Sequence, residues 1–227
     1  MEKILIHTCC AHCLGKLLAA LKAEPVAHDP VVFWNNPNIH PLIEYRRRLK
    51  AVKMLVERAK LPLISDETYG LVEFCRAVHG HEAAPERCAR CYALRLGRAA
   101  QAARAAGCRV FTSTLVTSRH QDHALIRAAG EAAGAAAGVE FLYRDARAAA
   151  ADEDLVKMLY HQQYCGCVFS EYDRFKDTAT HLWPPWGASA IRCSMGWPKE
   201  ANRPARQGPS TGGQAASPYP TYRLSGR

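Results

Sequence analysis

HTCCAHC, residues 7–13, stands directly behind the short apolar run Ile4–Ile6. Its reading decides the fold. A strand that runs into a helix ends on unsatisfied backbone N–H groups and a positive dipole end, which stabilise thiolates and anions. In nucleotide-binding α/β proteins this turn is glycine-rich and cradles phosphate. Here three cysteines, Cys9, Cys10 and Cys13, occupy it, and the stretch reads as a metal anchor at the end of a first β-strand. Two further pairs, Cys88/Cys91 in RCARC and Cys165/Cys167 in YCGC, read as the other half of the site.

Outward from that anchor the chain alternates. Lys3–Thr8 reads as the first strand and Leu14–Ala23 as a helix, with leucines at 14, 17, 18 and 21 on one face. Pro25 stops it. Val31–Trp34 reads as a buried strand followed by the turn-rich NNPNIHP, a usual place for substrate contacts in an open α/β sheet. A helix starts near Pro41 and runs to about Ala59. Leu61–Ile64 is the third strand, Tyr69–Val78 a short helix and Cys88–Ala106 a long one, with Cys91 one turn after Cys88 on the same face. Arg109–Val116 reads as a strand, Ser118 as the N-cap of a helix to about Ala137, and Val139–Tyr143 as a strand. Asp152 or Asp154 caps a helix through Tyr160. Strands alternating with such helices predict an α/β fold, a mostly parallel sheet flanked by helices.

Residues 1–181 therefore form the expected catalytic α/β domain. The remaining 182–227 hold seven Pro and six Gly in 46 residues and read as a disordered tail. Trp183, Trp186 and Trp197 lie in that tail, so WPPWG is expected to pack on the domain or on a partner, and Cys193 is expected to be a bystander.

Ten cysteines in 227 residues raise the thought of a secreted disulfide scaffold. The N-terminal apolar run is too short for a signal peptide, and no stretch is long and apolar enough to span a membrane. The expectation is a cytoplasmic protein without membrane contact, where clustered thiols stay reduced and bind metal. Cys75 and Cys108 stand alone in apolar surroundings and are expected in the core.

The formal charge of +9 suits a polyanionic partner. Pro41–Lys60 carries seven Lys/Arg against two acids, and Arg87–Arg109 carries six arginines and no acid. Arg46, Arg47, Arg48, Arg95 and Arg98 are the candidate RNA phosphate contacts, with Trp34 or Tyr92 as stacking platforms. The plainer alternatives are solvated helix faces for the arginines and core positions for the aromatics. His79 and His81 are weaker zinc-ligand candidates.

Seven cysteines exceed the four that a structural zinc uses. They fit two metals, or a [4Fe–4S] cluster beside a single iron or zinc with room for substrate. The CxxxCxxC run of radical enzymes is absent, since Lys16 stands where its third cysteine would be.

HTCCAHC, FWNNPNIHPLIEYRRR, RCARCYALRL, FTSTLVTS and LYHQQYCGCVFS, in this order and at these separations, resemble the QueH-type epoxyqueuosine reductases. The resemblance spans about residues 3–177. It implies an adenine-nucleotide alpha-hydrolase-like, Rossmann-like fold and a [4Fe–4S] cluster with an adjacent single metal ion, expected to be iron. It further implies the last step of queuosine synthesis, reduction of the epoxide of epoxyqueuosine at the tRNA wobble position without cobalamin. The metal-holding residues it implies are Cys9, Cys10, Cys13, Cys88, Cys91, Cys165 and Cys167, with their division between cluster and lone metal left open. The implied partners are tRNA bearing epoxyqueuosine and a low-potential, ferredoxin- or flavodoxin-like electron donor.

Four places depart from the family pattern. His12 stands where proline is usual, NNPN has an extra Asn, His161 replaces an arginine, and Arg119-His120-Gln121 replaces Pro-Tyr-Lys. None touches a cysteine. For proton delivery Asp145, at a strand end, is the first candidate, then Tyr164 beside Cys165 and His7 near Cys9. For Asp145 a helix N-cap is the plainer role. Two rivals use the same residues: a zinc-stabilised non-catalytic RNA-binding module, and an iron–sulfur tRNA-modifying transferase. The transferase is expected to carry an SGGxDS phosphate loop where HTCCAHC sits.

Overall fold

The computed structural model describes residues 2–177. The expected boundary at 181, the 182–227 tail and Cys193 lie outside the described residues.

Five parallel strands form one sheet: β1 (Glu2–His7), β2 (His28–Trp34), β3 (Leu63–Ser65), β4 (Val110–Ser113) and β5 (Glu140–Phe141). Their order is β3-β2-β1-β4-β5. The last four residues of β1 and β2 and all of β4 are buried, as expected for strands covered on both faces. The helices are α1 (Ala11–Lys22), α2 (Leu42–Ala59), α3 (Leu71–Val78), α4 (Glu86–Ala105), α5 (His123–Ala137), α6 (Glu153–Val156) and α7 (Val168–Phe175). α1 packs on α2, and α4 packs on α5 and β1. Right-handed crossovers put the first pair on one face of the sheet and the second on the other.

The order of the strands positions the site. β1 lies between β2 and β4, and the chain winds outward from it in both directions, which opens a crevice at the carboxyl ends of the central strands. His7 is level with Phe33 on one side and Ser113 on the other. The segments after β1, β2 and β4 therefore leave the sheet together.

Glycine sets one packing distance. A Cβ at Gly130 on α5 would enter the Phe141 ring, and one at Gly134 would stand 2.6 Å from the Val139 carbonyl oxygen. These two positions let α5 lie close on β5.

The element types match the expected pattern, with boundary differences that have local causes. α1 begins at Ala11, before the first leucine, because the Cys10 side chain caps it. The β4 strand ends at Ser113, whose hydroxyl accepts from Leu115 N at 3.2 Å and starts a 3-10 turn over Thr114–Thr117. α5 is capped by Asp122 and not by Ser118: its carboxylate accepts from Ala124 N at 2.9 Å and Leu125 N at 3.0 Å. The helix expected to reach Tyr160 stops at Val156. Arg58 Nη1 takes the carbonyls of Leu155 and Lys157, and Met158 adopts a left-handed φ of 62°. α7 was not expected; its cap is Cys167. Among the described residues no helix is long and apolar enough to cross a membrane. Cys108 is buried as expected, but Cys75 is exposed, because it lies on the outer face of α3 while Phe74 and Val78 turn inward.

Candidate metal centre

Cys9, Cys10 and Cys13 sit at the carboxyl end of β1. Cys10 is the N-cap of α1, and its Sγ accepts from Cys13 N at 3.2 Å, so sulfur does here what a serine or aspartate oxygen does elsewhere. Thr114, in the turn after β4, donates its hydroxyl toward Cys9 Sγ at 3.3 Å and accepts from Cys9 N at 3.1 Å. Gln162 Nε2 donates to Cys13 Sγ at 3.5 Å. Hydrogen bonds from Cys10 and Cys13 hold the Cys9 thiol well below its ordinary pKa, and Arg95 adds to this against the pull of burial. Burial pushes the Cys10 thiol up. The Cys10 bond draws Cys13 down, but Cys9 and burial together raise it to about 11.

The second half comes from two other elements. Cys88 and Cys91 lie on the first turns of α4. Cys165 and Cys167 lie in the loop that enters α7, where Cys167 Sγ accepts from Ser170 N at 3.3 Å. Cys91 and Cys167 meet in one buried apolar cluster with Phe74 and Val78. Burial pushes Cys91 up to about 11 and Cys165 up to about 12. Cys165 feels the charges of Cys91, Cys167 and Cys9 at once, which ties the two halves together electrostatically. Among the described residues no three His, Cys, Asp or Glu side chains form a ready metal-ligating group.

Three arginines bracket the thiols. Arg48, on α2, donates to Glu44 Oε1 at 2.6 Å and to the backbone carbonyls of Tyr164 and Cys165, each at 2.9 Å. Arg87, beside Cys88, donates to the Glu82 carbonyl at 2.6 Å and to Asp173 on α7 at 2.9 Å. Arg95, one turn after Cys91, donates toward Cys91 Sγ at 3.9 Å and to Asn36 Oδ1 at 3.1 Å, and has no carboxylate partner among the described residues. Asn36 Nδ2 in turn donates to the Thr8 carbonyl at 2.8 Å. Among the described residues the buried donors Arg87 Nε and Arg95 Nε have no acceptor, and both ends of the Asn38 amide and Gln162 Oε1 are also unpartnered.

That surplus tests the implied metal group. A buried cation without a carboxylate, and buried N–H groups without acceptors, are costly unless anionic acceptors fill the space. Seven soft sulfur donors are the set that iron–sulfur clusters and thiophilic metals take. The residues present fit.

The remaining candidates are placed as follows. Arg48 and Arg95 are each 1% exposed and face the thiols, not solvent. They are corrected from phosphate contacts to internal charges, because α2 and α4 turn these positions inward. Arg46 and Arg47 are exposed; Arg98 is half-buried and pairs with Glu73 and with Asn35 Oδ1 at 3.3 Å. Trp34 and Tyr92 are core and not stacking platforms. Trp34 Nε1 donates to Tyr45 Oη at 2.9 Å, and the Tyr92 hydroxyl donates to Gln121 Oε1 at 2.5 Å.

Asp145 is corrected as a proton donor. It lies in an exposed turn, accepts from Arg147 N at 3.1 Å and Arg147 Nε at 2.8 Å, and is held near pKa 2 by Arg147. Such a carboxylate carries no proton at neutral pH. His7 is corrected too: Nε2 donates to the Asn35 carbonyl at 3.3 Å, and Nδ1 accepts from Ser113 Oγ at 2.8 Å. Burial, then Arg95, lowers it to about 3, so it pins three strand ends as a neutral ring. The Tyr164 hydroxyl donates to the His40 carbonyl, and burial pushes its pKa up; it anchors the cysteine loop. His79 and His81 lie in the loop between α3 and α4, where His81 Nδ1 pairs with Glu86 at 2.9 Å.

Sequence reading missed Asn36, Thr114 and Gln162. Only their place beside the cysteine motifs marked them. His12 and His161, both departures from the family pattern, meet edge to face with ring centroids 4.5 Å apart.

The fold and site together define a parallel α/β protein with cysteines from three chain segments at the carboxyl ends of its central strands and in the helices and loop beside them. The chain belongs to the epoxyqueuosine reductase QueH family, whose model matches residues 4–173. It is 38% identical to the epoxyqueuosine reductase QueH of Dehalococcoides mccartyi over 76% of this chain and 94% of that protein. It is 35% identical to the protein of that name from Histophilus somni, over 77% of this chain and 74% of the relative. For the Thermotoga maritima protein of that name the figures are 33% identity over 77% and 93%.

Proposed function

We propose that this chain reduces the epoxide of epoxyqueuosine in the wobble position of tRNA, with a [4Fe–4S] cluster and an adjacent single metal ion held by its seven site cysteines. The observation that carries the reading is that Cys165, from the loop before α7, lies near Cys91 of α4 and Cys9 at the end of β1, beside the buried Arg95, which has no carboxylate partner among the described residues. The reaction takes up two electrons and two protons, breaks both C–O bonds of the epoxide, forms the alkene and releases water. The metal group would supply electrons one at a time, and its open metal position would supply Lewis acidity toward the epoxide oxygen.

The chain's own residues prepare the site. Arg48 clamps the Tyr164–Cys165 backbone to α2, Arg87 ties α4 to α7, and Thr114 fixes Cys9. Together they hold the three cysteine segments in one register. Arg46 and Arg47, on the exposed face of α2, are the basic residues of the candidate set free to meet tRNA phosphates. A low-potential ferredoxin- or flavodoxin-like donor, in the cytoplasm, completes the reading.

The test is iron and sulfide content of protein purified without oxygen, followed by turnover of epoxyqueuosine tRNA with a chemical reductant. About four sulfides and four to five irons per chain, with turnover, support the reading. Protein that takes only zinc after iron–sulfide reconstitution removes the electron source and refutes it.

A further inference from the structure

The buried cation at Arg95 asks for an explanation. A guanidinium that is 1% exposed normally sits against a carboxylate, because an uncompensated buried charge costs several kcal/mol. Arg48 has Glu44 and Arg87 has Asp173. Arg95 has a neutral amide, a sulfur and an unpartnered Nε.

We propose that Arg95 is a positioning residue that supplies a fixed positive charge to the thiolate–metal group and, through Asn36 and the Thr8 carbonyl, aligns the α4 cysteines with the β1 cysteines. This rests on the cluster reading above. The geometry is a single buried chain, from Cys91 Sγ to the guanidinium, from there to Asn36 Oδ1, and from Asn36 Nδ2 to the residue just before Cys9. A fixed cation stabilises the more negative, reduced state of a cluster over the oxidised state and raises its reduction potential. Hydrogen bonding and net charge are the levers by which proteins set such potentials. Before loading, the same cation is a burden on the fold.

Two variants separate charge from shape. R95M removes the charge and keeps most of the volume. N36D keeps Arg95 and places a carboxylate where a neutral oxygen now stands 3.1 Å from Nη2. The anaerobic, reconstituted proteins would be compared by redox titration of the cluster, by iron loss to a chelator, and by denaturant midpoint after metal removal. The expected result is a lower midpoint potential in both variants, cluster loss accelerated by about 10- to 100-fold, and metal-free R95M at least as stable as the metal-free wild type. R95K, which retains charge but not the fork, should keep most of the potential. Potentials unchanged in both R95M and N36D would overturn the assignment, and so would loss of metal-free stability in R95M without any change in potential, the mark of a merely structural arginine. Wild-type protein that holds no iron–sulfur cluster would sink the functional reading itself, and this inference with it.

Discussion

Replacing Arg48 by methionine should cost the protein far more than the loss of one surface charge. Arg48 Nε pairs with Glu44 at 2.6 Å, and its two terminal nitrogens hold the carbonyls of Tyr164 and Cys165. Both side chains of the pair are almost wholly buried. Methionine keeps the packing but leaves the Glu44 carboxylate in the interior with, among the described residues, only the Tyr160 hydroxyl donating to it. Breaking a buried pair in this way costs about 3–5 kcal/mol. Two released backbone carbonyls add to that, offset in part by relaxation of the loop toward water, so a net loss of about 4 kcal/mol is expected. With a urea slope of about 2 kcal/mol/M, the unfolding midpoint of the reduced, metal-free protein should fall by about 2 M. E44Q combined with R48M removes the stranded charge and should recover about half of the loss. The same clamp holds the loop that carries Cys165, so alkylation of Cys165 in folded R48M should be faster than in wild type. A midpoint within about 0.5 M of wild type, equivalent to roughly 1 kcal/mol, or a double variant no better than R48M, would refute the reasoning.

Three shorter predictions follow from other sites. His40 donates through Nε2 to the Pro37 carbonyl at 3.0 Å and has a buried, unpartnered Nδ1; burial lowers its pKa to about 4. The native state therefore binds fewer protons than the unfolded chain between pH 6.5 and 4. Stability should fall as the pH drops through that window, by about 3 kcal/mol from this residue, and H40Q should flatten the fall in denaturant titrations across pH 4–7. G130A puts a methyl group into the Phe141 ring and should lower stability by about 1–3 kcal/mol, read as a drop in thermal midpoint with iron content unchanged. Reversing both exposed arginines with R46E/R47E should weaken tRNA binding and reduce the slope of log affinity against log salt by about 1.4 or more, while R76E on α3 serves as a control for net charge alone.

The parallel sheet was legible because its cues are local: apolar runs of β-branched residues, one-face leucine spacing, and breakers such as Pro25 and Gly107. The cysteine segments were legible for a different reason, since short spacings at element ends leave a mark in any sequence. What escaped is what depends on rotation about a helix axis or on long-range contact. Asp145 looked like a strand-end acid, but the chain turns outward there and Arg147, two residues on, occupies it. Trp34 and Tyr92 looked like stacking platforms, yet both are enclosed by the helices that cross the sheet. α7 lacked a recognisable start because its cap is a cysteine. The pairing of His12 with His161 spans nearly 150 positions, beyond any periodicity argument.

The run Arg46-Arg47-Arg48 carries the central point about charge. Three adjacent residues on a helix of 3.6 residues per turn point in three directions about 100° apart, so they cannot all share one face. α2 already buries Tyr45, Leu49, Val52 and Val56 on its inner side, and this rotation turns Arg48 in and leaves Arg46 and Arg47 out. On α4 the stripe through Cys91 and Tyr92 likewise turns Arg95 inward. The formal charge of +9 is therefore not all a surface property. Part of it faces the thiols, where it favours their anionic form, and the remainder is what a polyanion meets from outside. On the proposed reading, the same basic composition would serve two partners of opposite location, a negative group within and a phosphate chain without. The two should separate by experiment, since salt screens exposed charges and scarcely reaches buried ones. High salt should therefore release bound tRNA and leave metal retention unchanged.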